Sequence, residues 1–310
     1  MKHPLKITLL LVALFVVAQL TGLFLVGQSI TAVTVVNGTA TLQHSETAIG
    51  ARPALQGYQS FLYLVIGVAV GTGLLLLLVR FRKVKLWKFW FFLAIFLAQL
   101  VALGVLIPSV IAAATALVLA LWKIYRPNPV VHNVTEILIY AGIAVLLVPI
   151  FDVTWMFVVL LTISLYDAWA VWRSKHMVVM AEFQKSSSVF AGLMVPKKEH
   201  PTPKHLAPPS SPPGTKTKTP TTATAAARKV AAKTAAGKPS VAPLPPAQMP
   251  AYAILGGGDI AFPLLFTGAV MEGLIRHGLG RTSALLESTI ITAFAALALL
   301  LLFTYAKKDR

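Results

Sequence analysis

Two carboxylates lie where carboxylates are costly. Asp167 falls within Ser164-Leu165-Tyr166-Asp167-Ala168-Trp169, and Asp259 within Leu255-Gly256-Gly257-Gly258-Asp259-Ile260, both inside long apolar stretches. A carboxylate at the centre of a bilayer costs about 2.5–3.5 kcal/mol on insertion scales, so two of them imply pairing or chemistry. The other acidic residues, Glu46, Glu136, Asp152, Glu182, Glu199, Glu272, Glu287 and Asp309, read as belonging to loops, tails or helix ends. Paired carboxylates in a low dielectric cannot both ionise, so they share a proton. The ionised member can then take a proton from water while the neutral member hydrogen-bonds a carbonyl oxygen. Gly256, Gly257 and Gly258 suit such a site, because three residues without Cβ let the backbone leave helical geometry and approach a substrate strand closely. On spacing alone the same residues also fit a structural or proton-transport role, and a Gly-Gly-Gly run also fits a helix packing site.

The elements that must position these residues are membrane helices. The 310 residues are 57% hydrophobic and only 12% charged, against roughly a quarter charged in a soluble domain. A soluble enzyme, a disordered regulator and a nucleic-acid-binding domain are thereby excluded as the main body. A span needs about 20 apolar residues. The sequence predicts eight: Leu5–Gln28, Tyr58–Val79, Trp87–Leu106, Ser109–Trp122, Val134–Phe151, Trp155–Trp172, Ala251–Gly273 and Ser283–Tyr305. The first is too long for the core of a signal peptide and reads as an uncleaved helix. The fourth is short and Ala-rich.

Basic residues orient the chain. Lys2 and Lys6 precede span one; Arg80, Arg82, Lys83 and Lys85 follow span two; Lys123 and Arg126 follow span four. Arg173 and Lys175 follow span six, and Lys307, Lys308 and Arg310 follow span eight. All therefore face the cytoplasm of a multi-pass cell-membrane protein, with Arg276 and Arg281 a mild exception. The chain divides into spans one to six (1–195), a Pro/Ala/Lys/Thr-rich segment (196–250) and spans seven and eight (251–310). The middle segment has too few large apolar side chains to order itself and reads as a disordered basic cytoplasmic linker. Its Arg228–Lys233 run resembles a linker-histone tail in composition, but no specific nucleic-acid partner is expected. Asn37-Gly38-Thr39 is a glycosylation sequon on the expected outside, whereas Asn133-Val134-Thr135 falls near the inside and should stay unmodified.

Spans six and seven flank the linker and so run antiparallel. Asp167 lies six residues before Arg173 and Asp259 nine after Pro250, roughly 9 and 13 Å of helical rise. Both carboxyl groups are thus expected at one depth, facing each other. Tyr166-Asp167 and Gly256-x-Gly258-Asp259 on two such helices, separated by a long hydrophilic loop, resemble the presenilin and signal-peptide-peptidase family of intramembrane aspartyl proteases. The stretch from Tyr166 through Arg173-Ser174-Lys175-His176-Met177 to Ala181-Glu182, with Val195-Pro196-Lys197-Lys198, resembles the archaeal presenilin homologues.

The resemblance implies an all-α, presenilin-like bundle and a catalytic pair of Asp167 and Asp259 that needs no metal or cofactor. It also implies Tyr166, Gly256, Gly257 and Gly258 around that pair, and transmembrane helices or leftover signal peptides as substrates. The rival reading is a non-proteolytic membrane protein, either a proton-coupled transporter or a lapsed relative. The family ends in a ninth helix preceded by a Pro-x-Leu motif, and the sequence stops at Arg310, after span eight. Three readings follow: the reading frame is incomplete, a separate subunit or a second copy of the chain completes the site, or the protein is a weakened or inactive relative. Pro53-Ala54-Leu55 spells the motif on the predicted outside and reads as chance.

Three smaller features complete the reading. Arg173–Phe183 extends span six, either as an amphipathic guard of substrate access or as a helix end at the headgroups. Gly67, Gly71 and Gly73 form a small-residue face expected to pack against another helix. His44, His132, His200, His205 and His277 read as loop residues without metal-ligand spacing.

Overall fold

Eight apolar stretches become eight helices in the computed structural model, which describes residues 5–36, 39–81, 84–126, 128–169, 191–196 and 252–305. They are α1 (Leu5–Ser29), α2 (Tyr58–Arg80), α3 (Val84–Gly104), α4 (Ser109–Tyr125), α5 (Pro129–Leu147), α6 (Val153–Trp169), α7 (Gly257–Arg276) and α8 (Arg281–Tyr305). Six are long and apolar enough to cross a membrane, and α4 and α6 are shorter apolar helices. The protein is a polytopic all-α membrane bundle. The linker, the Arg173–Phe183 extension and the Arg228–Lys233 run lie outside the described residues.

A helix that is apolar on every side can bury one face in the bundle and leave the other to lipid, and α1 does so, with Leu9, Leu10, Val17 and Phe24 exposed. It buries Leu11, Phe15, Ala18, Leu23 and Val26 and packs against α5, α7 and α8. The glycines that let helices approach are Gly22, Gly142 and Gly268. A Cβ on Gly142 would lie 1.9 Å from the Ala98 carbonyl oxygen of α3, which fixes that crossing as Gly-only. Gly67, Gly71 and Gly73 do not pack as expected: a Cβ on any of them would meet nothing within 4 Å. They lie on α2, whose apolar span is almost wholly unburied, so their small size serves no contact among the described residues.

Caps set the helix starts. Asn128 accepts the Val130 N–H at 2.8 Å, with Pro129 at the first helical position. Asp152 accepts the Trp155 N–H at 2.8 Å. Between α5 and α6 the chain tightens into a 3-10 turn at Val148–Ile150, which contains Pro149.

Two small sheets interrupt the helical plan. β1 (Ile30–Val36) and β2 (Thr39–His44) pair antiparallel, with Val36 opposite Thr39. The connecting residues are Asn37 and Gly38, the dipeptide that best signals a tight hairpin. β3 (Gly192–Pro196) pairs antiparallel with β4 (Tyr252–Gly256), Gly192 opposite Gly256 and Pro196 opposite Tyr252. Span seven therefore does not begin as a helix at Ala251. Tyr252–Gly256 is extended, and Pro196, expected at the head of the linker, ends a strand. The apolar run Tyr252–Leu255 is buried by alternation, with Ala253 and Leu255 inside and Ile254 50% exposed, a period of two rather than 3.6.

Candidate functional site

Asp167 sits in the last described turn of α6 and Asp259 in the first turn of α7. The two helices pack against each other. The expected path from the linker to Asp259 needs one correction. Asp259 does not lie 13 Å along a helix from Pro250, because the intervening strand is extended and the helix begins at Gly257. The strand-to-helix junction sets the position of Asp259 at the start of α7. Both aspartates are exposed rather than sealed inside the bundle.

The junction fixes Asp259. Gly256 is the extended N-cap residue of α7 (φ −64°, ψ 150°), which makes Asp259 the third helical residue. A side chain there reaches back toward the cap N–H, as in a capping box. The Gly256 N–H interacts with the Asp259 carboxylate, at the positive end of the α7 dipole. Gln19 of α1 secures the next residue by donating to the Ile260 carbonyl at 2.8 Å, buried in the core. Pro263, one turn on, removes an N–H from this part of the helix.

The three glycines are not equivalent. A Cβ on Gly257 would lie 2.7 Å from the Tyr140 Oη, whereas one on Gly258 would find its nearest neighbour, Phe262, at 3.6 Å. A Cβ on Gly256 would meet only Asp259 Oδ2, at 3.4 Å. Close approach is thus required at Gly257, against a buried tyrosine on α5. Tyr166 is half-buried and packs its ring on Trp169, with centroids 6.3 Å apart.

Sequence reasoning missed the support behind this junction. Glu136 is fully buried in α5 rather than at a helix end, and it pairs with the buried Lys123 of α4. Its Oε2 also accepts the Gly192 N–H at 3.0 Å. His132, assigned to a loop, lies in α5 with Nε2 2.8 Å from the Gly192 carbonyl oxygen. Asn133 holds Met194 twice: Nδ2 donates to its carbonyl at 2.8 Å, and Oδ1 accepts its N–H at 2.9 Å. The legible signal was the spacing of His132, Glu136 and Tyr140 at i, i+4 and i+8 on one helix face. Gly192 has φ +143°, and a Cβ there would lie 2.3 Å from the Leu255 carbonyl oxygen, so only glycine fits.

Glu272 is a second buried carboxylate that was expected near a helix end. It pairs with His44 at 2.9 Å and with Arg276 at 3.0 Å. Arg52 approaches the same group and donates to Val145 O at 3.0 Å and Ser45 O at 2.6 Å. Burial pushes the Arg52 guanidinium below its usual range, and Glu272 partly offsets this. A cavity of about 350 Å³ opens here, lined by Arg52, Pro53, Ala54, Leu55, Pro149 and Ile150 among others. Pro149 and Ile150 precede α6, and Asp167 lies near its other end. Fourteen residues of helix separate Val153 from Asp167, roughly 21 Å. Pro53-Ala54-Leu55 is therefore remote from the aspartates.

The chain was compared with known proteins. Residues 12–205 match the family described as signal-peptide peptidase, presenilin aspartyl protease, well over half of the chain. The match includes Tyr166-Asp167, and Gly256–Asp259 lies beyond it. No curated protein and no solved structure matches. With that match over a polytopic bundle of apolar helices, the chain belongs to the signal-peptide peptidase and presenilin family of aspartyl proteases.

Proposed function

We propose that the chain is an intramembrane aspartyl endopeptidase with Asp167 and Asp259 as its catalytic pair. The observation that carries this is that Asp167, in the last described turn of α6, and Asp259, in the first turn of α7, stand on two helices that pack against each other. In the reaction the pair holds one proton. The ionised carboxylate takes a proton from a water molecule as the water oxygen attacks the scissile carbonyl carbon. The protonated partner gives its proton to the carbonyl oxygen, forming a tetrahedral gem-diol. The amide nitrogen then receives a proton from the pair, the C–N bond breaks, and the gem-diol collapses to the new carboxyl group, returning its proton. One water is consumed and the pair ends as it began. Which aspartate starts protonated is a property of the pair rather than of either residue.

A helical substrate hides its carbonyls, so it must unwind before it is cut. The sheet suggests how. Gly192 and Met194 turn their backbone groups toward α5. In an antiparallel ladder the residues opposite them, Gly256 and Ile254, then turn theirs away from β3. Among the described residues the outward backbone groups of Tyr252 and Ile254 meet no partner, which leaves a strand edge that leads straight to Asp259. An extended segment adding to that edge gains main-chain hydrogen bonds in place of its helical ones, and it covers the exposed aspartates.

The substrates we infer are transmembrane helices or leftover signal peptides. The helices run alternately, so Arg80, Lys85, Lys123 and Arg126 gather at the end of the bundle that carries Asp167 and Asp259. This supports a cytoplasmic N-terminus, 196–250 segment and C-terminus. The test is a reporter membrane helix incubated with the full chain in vesicles. Two fragments, suppressed by a peptide isostere bearing a tetrahedral hydroxyl, are expected. An intact reporter, with proton-dependent solute flux instead, would overturn the proposal in favour of a transporter.

A further inference from the structure

A two-stranded sheet has two outer edges, and here one is closed by a helix. The groups of β3 that point away from β4 are the N–H and C=O of Gly192 and Met194. All four are met by α5 side chains: Glu136 and Asn133 accept the two N–H groups, and His132 and Asn133 face the two carbonyl oxygens. His132, Asn133 and Glu136 sit within one and a half turns, and α5 is itself locked into the core against α1, α3 and α7. Lys123 balances the charge that Glu136 brings inside.

We propose that this polar stripe of α5 substitutes for a third strand. Asn133 and Glu136, with His132, close the β3 edge and fix its register. They thereby direct an incoming segment to β4 alone and set which of its bonds reaches Asp259. The last part rests on the protease reading; the clamp itself does not. Register is strictly specified. A one-residue slip of β3 would turn Leu193 and Val195, 0% and 3% exposed, out of the core. A slip that brought Pro196 to the place of Met194 would face Asn133 Oδ1 with a residue that has no N–H. An unclosed β3 edge would also be a second template for an extended chain, and a segment bound there would lie on the far side of the sheet from the β4 edge. Asn133 and Glu136 are positioning residues, acting through β3 and β4 on the junction that carries Asp259.

The test uses the full chain in lipid nanodiscs, comparing wild type with Asn133→Ala. Amide hydrogen exchange in 191–196 should accelerate at least tenfold, with that in 252–256 rising too, while α1 and α7 keep their protection. Fragment masses from the reporter helix should spread from one cut position to others two residues away, because a two-residue shift keeps the same side chains on the same face. Should the alanine variant not fold, Asn133→Leu, which keeps the side-chain bulk, is measured in its place. Unchanged exchange in 191–196 would overturn the clamp. Faster exchange with the cut position unmoved would overturn its control of register. If wild type cuts no reporter at all, the protease reading falls, and the exchange result alone decides the clamp.

Discussion

Gly257→Ala isolates the tightest contact in the site. The added Cβ would lie 2.7 Å from Tyr140 Oη, about 0.7 Å inside the ordinary contact range that starts at 3.4 Å. Tyr140 is 3% exposed and sits in the core cluster, so it cannot swing away cheaply. Overpacking of this kind costs about 1–3 kcal/mol. It is relieved by shifting the first turn of α7, and Asp259 moves with that turn. Since a misplacement of about 1 Å can cost on the order of 100-fold in rate, a shift of several tenths should cost about tenfold. Thermal unfolding in detergent and reporter cleavage measure the two effects. Two controls sharpen the result. Gly258→Ala has its nearest neighbour at 3.6 Å and should be neutral, or stabilising by about 0.5–1 kcal/mol through lost chain entropy. Tyr140→Phe removes the colliding oxygen and leaves the next ring atoms at 3.4 Å, so in combination it should rescue Gly257→Ala. A Gly257→Ala protein with wild-type melting and cleavage, or a double variant no better than the single, would refute the reasoning.

Lys123→Met should destabilise the fold by about 3–5 kcal/mol by leaving Glu136 buried and unpaired, and adding Glu136→Gln should restore most of it; melting temperatures decide. Gly192→Ala should cost about 1–3 kcal/mol, because φ +143° and the Leu255 carbonyl both exclude a Cβ, and the same assay reads it. Arg52→Ala leaves two part-buried carbonyls without a charged donor and Glu272 less balanced; a loss of about 1–3 kcal/mol in unfolding free energy is expected. The sequence contains no cysteine, so single Ser210→Cys and Glu46→Cys variants should react with an impermeant thiol reagent from opposite faces of sealed vesicles, Ser210→Cys from the cytoplasmic one.

Much of this architecture is written in local composition. Spans such as Leu5–Ser29 and Arg281–Tyr305 are long apolar runs, and the bilayer leaves helices as the natural form for them. The aspartates were legible for the complementary reason, since a carboxylate in such a run needs an explanation. Tertiary pairing was not legible. Tyr252–Gly256 is a strand because Gly192–Pro196, far back in the chain, supplies its partner, and a short apolar run reads equally as helix or strand. The buried role of Glu136 depends on Lys123 reaching it from a neighbouring helix. Asn37-Gly38 carried a hairpin signal as well as a sequon. The glycines of α2 followed a packing pattern that no neighbour in the described bundle uses, whereas Gly142, in no motif, is the one that α3 demands.

The central claim is that two carboxylates act as one unit. The measurement is reporter cleavage by Asp167→Asn, Asp259→Asn and the double variant, each first shown to melt as wild type does. Members of a catalytic unit are grossly non-additive, so each single change should abolish cleavage as completely as both together, and the wild-type rate should be bell-shaped in pH. Cleavage retained by either folded single variant would contradict the account.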